Sequence, residues 1–329
     1  MTSREIVQRT LDYACPERVA RSFPPSDFAA CGPDIVGKAT PWRETAPGRE
    51  EHTDLWGNVW ARVDRSSKGE VVKGALENLD ALDEYEFPDF SDPGGYESLR
   101  AKRREFPDKF VRGQVMGFAF NIARKMLKMD NYLVALMTDR ERVRALHDRI
   151  DACVADMIRN LAEAGADGIM MGEDWGTQTQ TLVSPALWMD EFFPRFKRLC
   201  GIAHDLGKPV FMHSCGQIEG IMPGLIEAGV DCFQFDQPDL HGIDTLAAHQ
   251  ERARVTFWCP VDIQTTLQQR DERLIREKAR EMLAKLWRGR GGFIAGYYSD
   301  NESIGLDPKW QEIACDEFHK AGKRRESKM

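Results

Sequence analysis

From about residue 110 onward, short β-rich runs ending in Gly, Asp or Cys alternate with longer stretches whose apolar positions recur at three and four. The runs are Val111 to Phe118, Gly168 to Gly172, Pro209 to His213, Asp231 to Phe235, Arg254 to Trp258 and Gly292 to Tyr297. Between them, Arg140 to Ala164 places Val143, Leu146, Ile150, Val154, Met157 and Leu161 on one stripe, as a helix burying one face must. Ser184-Pro185 reads as an N-cap followed by proline at the first helical position, opening a helix through Leu199. Strand and helix alternating at this spacing predict parallel βα units. No GxGxxG follows any run, so a closed (β/α)8 barrel of the TIM type is preferred to an open doubly wound sheet. A barrel gathers the carboxyl ends of its strands at one mouth, where the connecting loops form active sites.

Residues 20 to 110 are less regular, broken by Pro24-Pro25, Pro41, Pro47-Gly48 and Pro93-Gly94-Gly95. One segment stands out: His52 to Gly74 reads as a β-hairpin turning at Ser66 to Gly69, with Trp56 and Trp60 on one strand face. Those tryptophans suit the roof of a substrate cavity, with Trp56 as a binding residue, and ordinary packing accounts for them as well. The whole is read as one domain over residues 1–329. Residues 1–110 form an N-terminal elaboration with the first strand, 111–318 the main βα units, and 319–329 a basic tail that a frayed terminus explains better than a binding patch.

Composition narrows the partners. A formal net charge of -8 repels nucleic acid and anionic membranes. No run approaches the roughly 18 apolar residues of a membrane span, and the start lacks a secretory pattern. The 8 cysteines form no CxxC pair, which suits reduced thiols in a cytoplasm.

Chemistry concentrates at the ends of the predicted strands. In Pro209-Val-Phe-Met-His-Ser-Cys-Gly216, His213 and Cys215 lie two apart on an extended segment and leave the same face. An imidazole and a thiolate suit zinc; a hydrogen-bonded histidine beside a buried free cysteine is the plainer alternative. Cys259, ending another run, is the candidate third ligand, ahead of Cys232. Glu173 or Asp174 supplies an oxygen ligand, a general acid or a turn cap, and Asp236 completes the catalytic candidates. Gln237 and Asp262 suit substrate recognition, although an aspartate such as Asp262 also makes turns. Tyr297 and Tyr298 alternate in direction, so one of the two faces the mouth and contacts a ligand.

The chain resembles the uroporphyrinogen decarboxylase superfamily, which includes the corrinoid-dependent methyltransferases. The likeness spans most of the chain and rests on Met1-Thr-Ser-Arg-Glu with Pro16-Glu-Arg-Val19, Ser184-Pro185, Gly207-Lys-Pro-Val-Phe-Met-His-Ser-Cys-Gly216 and Gly291-Gly-Phe-Ile294. It implies a (β/α)-barrel. The Arg-Gln-Ala-Gly-Arg-Tyr signature of the haem-pathway decarboxylases is replaced by Arg21-Ser-Phe-Pro-Pro25, and Pro93-Gly94 interrupts the continuation of Phe90-Ser-Asp92. The methyltransferase branch holds zinc with a His-x-Cys pair and a distant Cys. His213 and Cys215 match the pair, whereas the distant position reads Ala295-Gly-Tyr-Tyr-Ser-Asp300, so that either Cys259 or Glu173 replaces that ligand or the site has lost zinc. The resemblance implies methyl transfer between a small methylated substrate, a methoxylated compound among them, and a corrinoid (cobalamin) on a carrier protein or a thiol. Zinc (Zn2+) is the expected metal, and a homodimer the expected assembly. The alternative is a metal-free decarboxylase in which Asp236 and His213 steer protons.

Overall fold

The computed structural model describes residues 1–324. Its first helix, α1 (Ser3–Leu11), opens on a capping box in which Thr2 accepts from the Glu5 N–H and Glu5 returns to the Thr2 N–H. Then come β1 (Ala20–Arg21), β2 (Phe28–Cys31), four short strands β3 (Arg43–Ala46), β4 (Arg49–Thr53), β5 (Val59–Arg62) and β6 (Glu70–Lys73), and α2 (Glu97–Glu105). The regular part runs β7 (Phe110–Gln114), α3 (Ala119–Met126), α4 (Met129–Thr138), α5 (Arg140–Glu163), β8 (Gly168–Gly172), α6 (Pro185–Glu191), α7 (Phe193–Asp205), β9 (Val210–His213) and α8 (Met222–Ala228). It closes with β10 (Cys232–Gln234), α9 (Ile243–Arg252), β11 (Thr256–Cys259), α10 (Glu272–Met282), β12 (Phe293–Ala295) and α11 (Lys309–Ala321).

Eight strands form one parallel sheet in the order β1-β12-β11-β10-β9-β8-β7-β2, nearly closed into the expected barrel. Every second residue faces the lumen. Phe28, Phe110, Met170, Phe211, Cys232, Trp258 and Ile294 fill it, and Ile6, Val7 and Leu11 of α1 plug its floor. The alternate residues, such as Val111, Ile169, Met212, Phe233, Phe257 and Cys259, pack outward against the helices. Strands buried on both faces carry apolar runs without polar alternation, which is why the sequence rhythm was readable. The open seam between β1 and β2 is bridged by Asp27: its N–H donates to Arg21 O at 3.0 Å and its carboxylate accepts from Arg21 N at 2.9 Å.

Several boundaries differ from expectation. β1 and β2 lie inside the stretch read as irregular elaboration, because two and four residues are too short to show a period beside Pro24-Pro25. The strand expected over Val111 to Phe118 stops at Gln114, and Gly117 turns the chain with φ +136°. The helix expected from Pro185 to Leu199 breaks at Phe192, since Pro194 suits only the first turn of a new helix. β12 ends at Ala295, so Tyr297 and Tyr298 lie in a loop and the strand-alternation argument does not apply to them. β5 and β6 make the expected hairpin, but His52 belongs to β4 and Trp56 to the tight turn between β4 and β5, so the two tryptophans do not share a strand. The supposed tail is helical as far as Ala321, with Lys320 paired to Asp316 at 2.7 Å; the tail's residues 325–329 lie outside the described residues. Among the described residues no helix is long and apolar enough to cross a membrane.

Candidate functional site

The loops after β8 and β9 are joined backbone to backbone. Glu173 N–H donates to His213 O at 2.9 Å, Gly176 N–H to Cys215 O at 3.2 Å and Gln217 N–H to Thr177 O at 2.7 Å. A Cβ on Gly216 would lie 2.3 Å from the Gly176 backbone, and Gly216 has φ +76°, so both glycines are required by this contact. The junction brings Asp174 against the His-Ser-Cys segment, where its Oδ1 accepts from Cys215 N–H at 3.0 Å.

Asp174, His213 and Cys215 thereby form a donor cluster whose ligand atoms all lie within 4.8 Å of one another. His213 Nε2 is 3.3 Å from Cys215 Sγ and 3.5 Å from Asp174 Oδ1. Donors around tetrahedral zinc, with bonds of about 2.0–2.3 Å, stand roughly 3.3–3.8 Å apart, so these separations fit such an ion. The other side of the imidazole is fixed: Nδ1 meets Gln234 Oε1 at 2.5 Å, and Gln234 Nε2 donates to Asp236 Oδ1 at 2.7 Å. Because the Gln234 amide N–H is committed to Asp236, its oxygen must accept from His213 Nδ1–H. The Nε2 lone pair is left facing Cys215 and Asp174, the arrangement found around metal-bound histidines.

Burial raises the Asp174 carboxyl, but His213, the Cys215 N–H and Arg124 together outweigh it and hold the group below its usual range. Arg124 Nη2 approaches Asp174 Oδ2 at 3.5 Å. Burial and the charges of Asp174 and Asp236 push the Cys215 thiol up to about 12, although the side chain reaches solvent at the mouth. Burial likewise raises Asp236.

The remaining expected site residues separate by the face on which they fall. Cys259 does not join the cluster. Trp258 points into the lumen, so its neighbour points outward and packs fully buried among Phe233, Phe257 and Ala295. Glu173 and Asp174 part for the same reason. Glu173 is fully buried behind the sheet, where its Oε1 accepts from the backbone N–H groups of Phe118 and Asn121 at the start of α3. Burial raises its pKa to about 8, but it is a helix cap, not an acid at the mouth. Asp262 is buried and accepts backbone N–H groups from Asp239, Gln264 and Thr265 at 2.8–3.1 Å, which makes it a turn former instead of a substrate contact. Gln237 is nearly buried with its amide 3.5 Å from Gln178. Tyr297 OH accepts from Asn301 at 3.3 Å, and Tyr298 OH lies 3.4 Å from Ser303 Oγ.

Gln234 was missed, although it shares a strand face with Asp236 two residues on. Arg112 was missed as well. It stands on the lumen face of β7 with its guanidinium 4.5 Å from the Trp258 ring and 5.3 Å from that of Phe28, and no carboxylate pairs with it among the described residues. Burial lowers its pKa to about 10.

A cavity of about 760 Å³ lies between the β3–β6 sheet and the loop and helix following β7, lined among others by Trp42, Trp56, Trp60, Met116, Ile122 and Lys125. Its lining does not include the Asp-His-Cys cluster. Lys68 and Lys125 line it as well, and the charges of Glu173, Asp174 and Asp54 offset part of the burial that lowers the Lys125 pKa.

A model of the uroporphyrinogen decarboxylase (URO-D) family matches residues 64–297 of the chain. A curated relative, methylated-thiol–coenzyme M methyltransferase from Methanosarcina mazei, is 25% identical over 117 residues, covering 36% of this chain and 30% of the relative. The match therefore spans under a third of that relative's length. The solved structure of a methyltransferase from Methanosarcina mazei superposes with a TM-score of 0.57 at 13% identity, over 97% of this chain and 84% of the other. That second likeness is one of fold.

Proposed function

The chain belongs to the uroporphyrinogen decarboxylase family of enzymes, and from that premise we propose that it is a methyltransferase. In this reading it moves a methyl group between a small methylated substrate and a corrinoid presented by a separate carrier protein, at the barrel mouth above His213. The observation that carries the proposal is the donor set itself: one imidazole nitrogen, one sulfur and one carboxylate oxygen, with the imidazole held in the metal-binding tautomer by Gln234.

Asp174, His213 and Cys215 would hold a zinc ion and leave a coordination position open to substrate. Zinc bound there supplies Lewis acidity toward a substrate heteroatom, or keeps a thiol substrate deprotonated. The protein's own part is positional. Asp236 anchors Gln234, Gln234 fixes the His213 ring, and the Gly176–Gly216 junction sets the Asp174 carboxylate beside Cys215. Arg124 balances the charge of Asp174. Glu173, sealed behind the sheet, takes no part in proton transfer. The partial likeness to a methylated-thiol methyltransferase supports the reaction class without choosing the methyl donor.

The test is metal analysis of the purified protein together with methyl transfer to cob(I)alamin followed by its visible spectrum. His213→Ala, Cys215→Ser and Asp174→Ala should each lose bound zinc and transfer activity, and Gln234→Leu should weaken zinc binding about 10–100-fold. Undiminished transfer in the three ligand variants would sink the proposal. Release of carbon dioxide without corrinoid would establish a lyase in its place.

A further inference from the structure

We propose that a cleft at the floor of the barrel, remote from the mouth and independent of the methyltransferase reading, binds an organic diphosphate of the nucleoside diphosphate kind.

Three segments meet to build the cleft. α10 runs on into a π-helical turn, Leu283–Trp287, which is followed by Arg288. The loop after α1 reaches this turn through Cys15, whose N–H donates to Arg290 O at 2.9 Å. The chain after α11 completes the wall, held by the Arg324 N–H on Glu17 O at 2.9 Å. Residues 288–292 lead into the amino end of β12 and residues 15–19 into that of β1, so the cleft lies at the opposite end of the strands from His213. Single π-helical turns interrupt regular helix and recur at functional sites. Cys15 and Arg288 also take the left-handed backbone conformation, at φ +52° and +51°. For residues with side chains, such conformations persist only where the surrounding structure imposes them.

The charge of the cleft defines its ligand. A volume of about 570 Å³ is lined by Arg280, Arg288, Arg290, Lys323 and Arg324, and no carboxylate lines it among the described residues. The chain as a whole is acidic, with a net charge of -8. Two carboxylates outside the cleft offset part of this cluster: Glu251 pairs with Arg288 and, at 3.1 Å, with Arg290, and Glu317 pairs with Arg280 at 2.7 Å. Lys323 is bridged through its backbone to Arg18, and Arg324 Nη1 lies 3.5 Å from Cys15 O; among the described residues neither pairs with a carboxylate. Five cations less two carboxylates leave three positive charges. One carboxylate does not match that, whereas a diphosphate ester carries roughly three negative charges near pH 7. Composition assigned Lys323 and Arg324 to a frayed tail, and the fold sets them against the π-helical turn.

Buried donors add an independent observation. Trp287 lines the cleft at 5% exposure, and its Nε1–H has no acceptor among the described residues. The Arg290 Nε–H is buried without one as well. A buried N–H left without a partner is unfavourable, and phosphoryl oxygens accept such bonds well. Leu283, Ala284 and Ala321 supply an apolar wall, and the volume is that of a small organic ligand, larger than a bare inorganic anion fills.

Calorimetry of the full chain with adenosine diphosphate (ADP), inorganic pyrophosphate and adenosine, in magnesium-free buffer, tests this. ADP should bind about tenfold more tightly than pyrophosphate because only ADP uses the apolar wall, and adenosine should not bind measurably. Lys323→Gln combined with Arg324→Gln should weaken ADP binding by about tenfold or more. Arg43→Gln combined with Arg104→Gln, equally exposed and outside the cleft, should leave it unchanged. ADP should raise the thermal midpoint of the wild type and of this control, and not that of the cleft variant. No binding of ADP at millimolar concentration, or undiminished binding in the cleft variant, would overturn the assignment. So would equal affinity for pyrophosphate, the mark of an inorganic-anion site only, or equal losses in both double variants, the mark of diffuse attraction. Methyl transfer by the cleft variant, measured alongside, reports on the mouth alone, so failure of either reading leaves the other standing.

Discussion

Gly216 shows how much of the site depends on an atom that is missing. With φ +76° and the Gly176 backbone 2.3 Å from where its Cβ would stand, the residue admits no side chain. Gly207 also has a positive φ, +70°, but nothing lies within 4 Å of its would-be Cβ. The pair separates backbone conformation from close approach. Gly207→Ala should lower the unfolding free energy by only about 1–2 kcal/mol, the cost of a left-handed conformation, and leave metal binding at the proposed site unchanged. Gly216→Ala should cost more and abolish metal binding at the proposed site, because the β8 loop can no longer bring Asp174 to Cys215. Denaturant titration and metal content measure the two effects, and zinc retained in Gly216→Ala would refute the account of the junction.

At the scale of elements, α4, α5, α6 and α7 meet around one buried carboxylate. Glu191 is 2% exposed and accepts from Arg144 Nε at 2.7 Å, His147 Nδ1 at 3.2 Å and Arg195 Nε at 3.4 Å, while the other nitrogen of His147 bonds Tyr132 OH at 2.9 Å. Burial acts to raise the Glu191 pKa, but the hydrogen bonds from His147 and Arg144 prevail and lower it to about 2. A carboxylate whose pKa falls on folding stabilises the fold above its unfolded value near 4.5, and that contribution is lost as pH falls toward 2. Wild-type stability should therefore decline across that window. In Glu191→Gln the decline should be shallower, and at pH 7 the variant should be less stable by about 1–3 kcal/mol, the cost of weakening charged hydrogen bonds. Urea unfolding at several pH values gives both numbers; parallel profiles would show that Glu191 does not contribute.

For the molecule as a whole, closure of the barrel rests on the seam between β1 and β2. Asp27 is fully buried there and, besides holding Arg21 N, binds Arg18 through two bonds of 2.6 and 2.8 Å and Ser3 Oγ at 2.7 Å. It joins α1, the barrel floor and both edge strands. Asp27→Ala leaves Arg18 without its partner and should cost about 3–5 kcal/mol. Hydrogen exchange should show β1 and β2 opening first while the β8–β9 junction persists. Uniform loss of protection across the barrel would contradict a local seam.

The sequence by itself determined the class of fold and the adjacency of His213 and Cys215. Apolar runs such as Val210–Met212 between amphipathic helices mark doubly buried parallel strands, and the two-residue spacing of His213 and Cys215 places them on one face. It also limited the region where the mouth could lie. Only the tertiary structure decided which residues join the pair. Glu173 and Asp174 are neighbours of like charge, and one became a cap while the other turned toward Cys215 because adjacent residues of an extended chain face opposite ways. The same parity turned Cys259 outward. Single-residue parity depends on strand ends that composition leaves uncertain by one or two positions, and contacts such as Gly176 on Gly216 or Lys125 beside Trp60 join segments far apart in the chain. Local pattern has no means to express them, since they exist only once the barrel has closed.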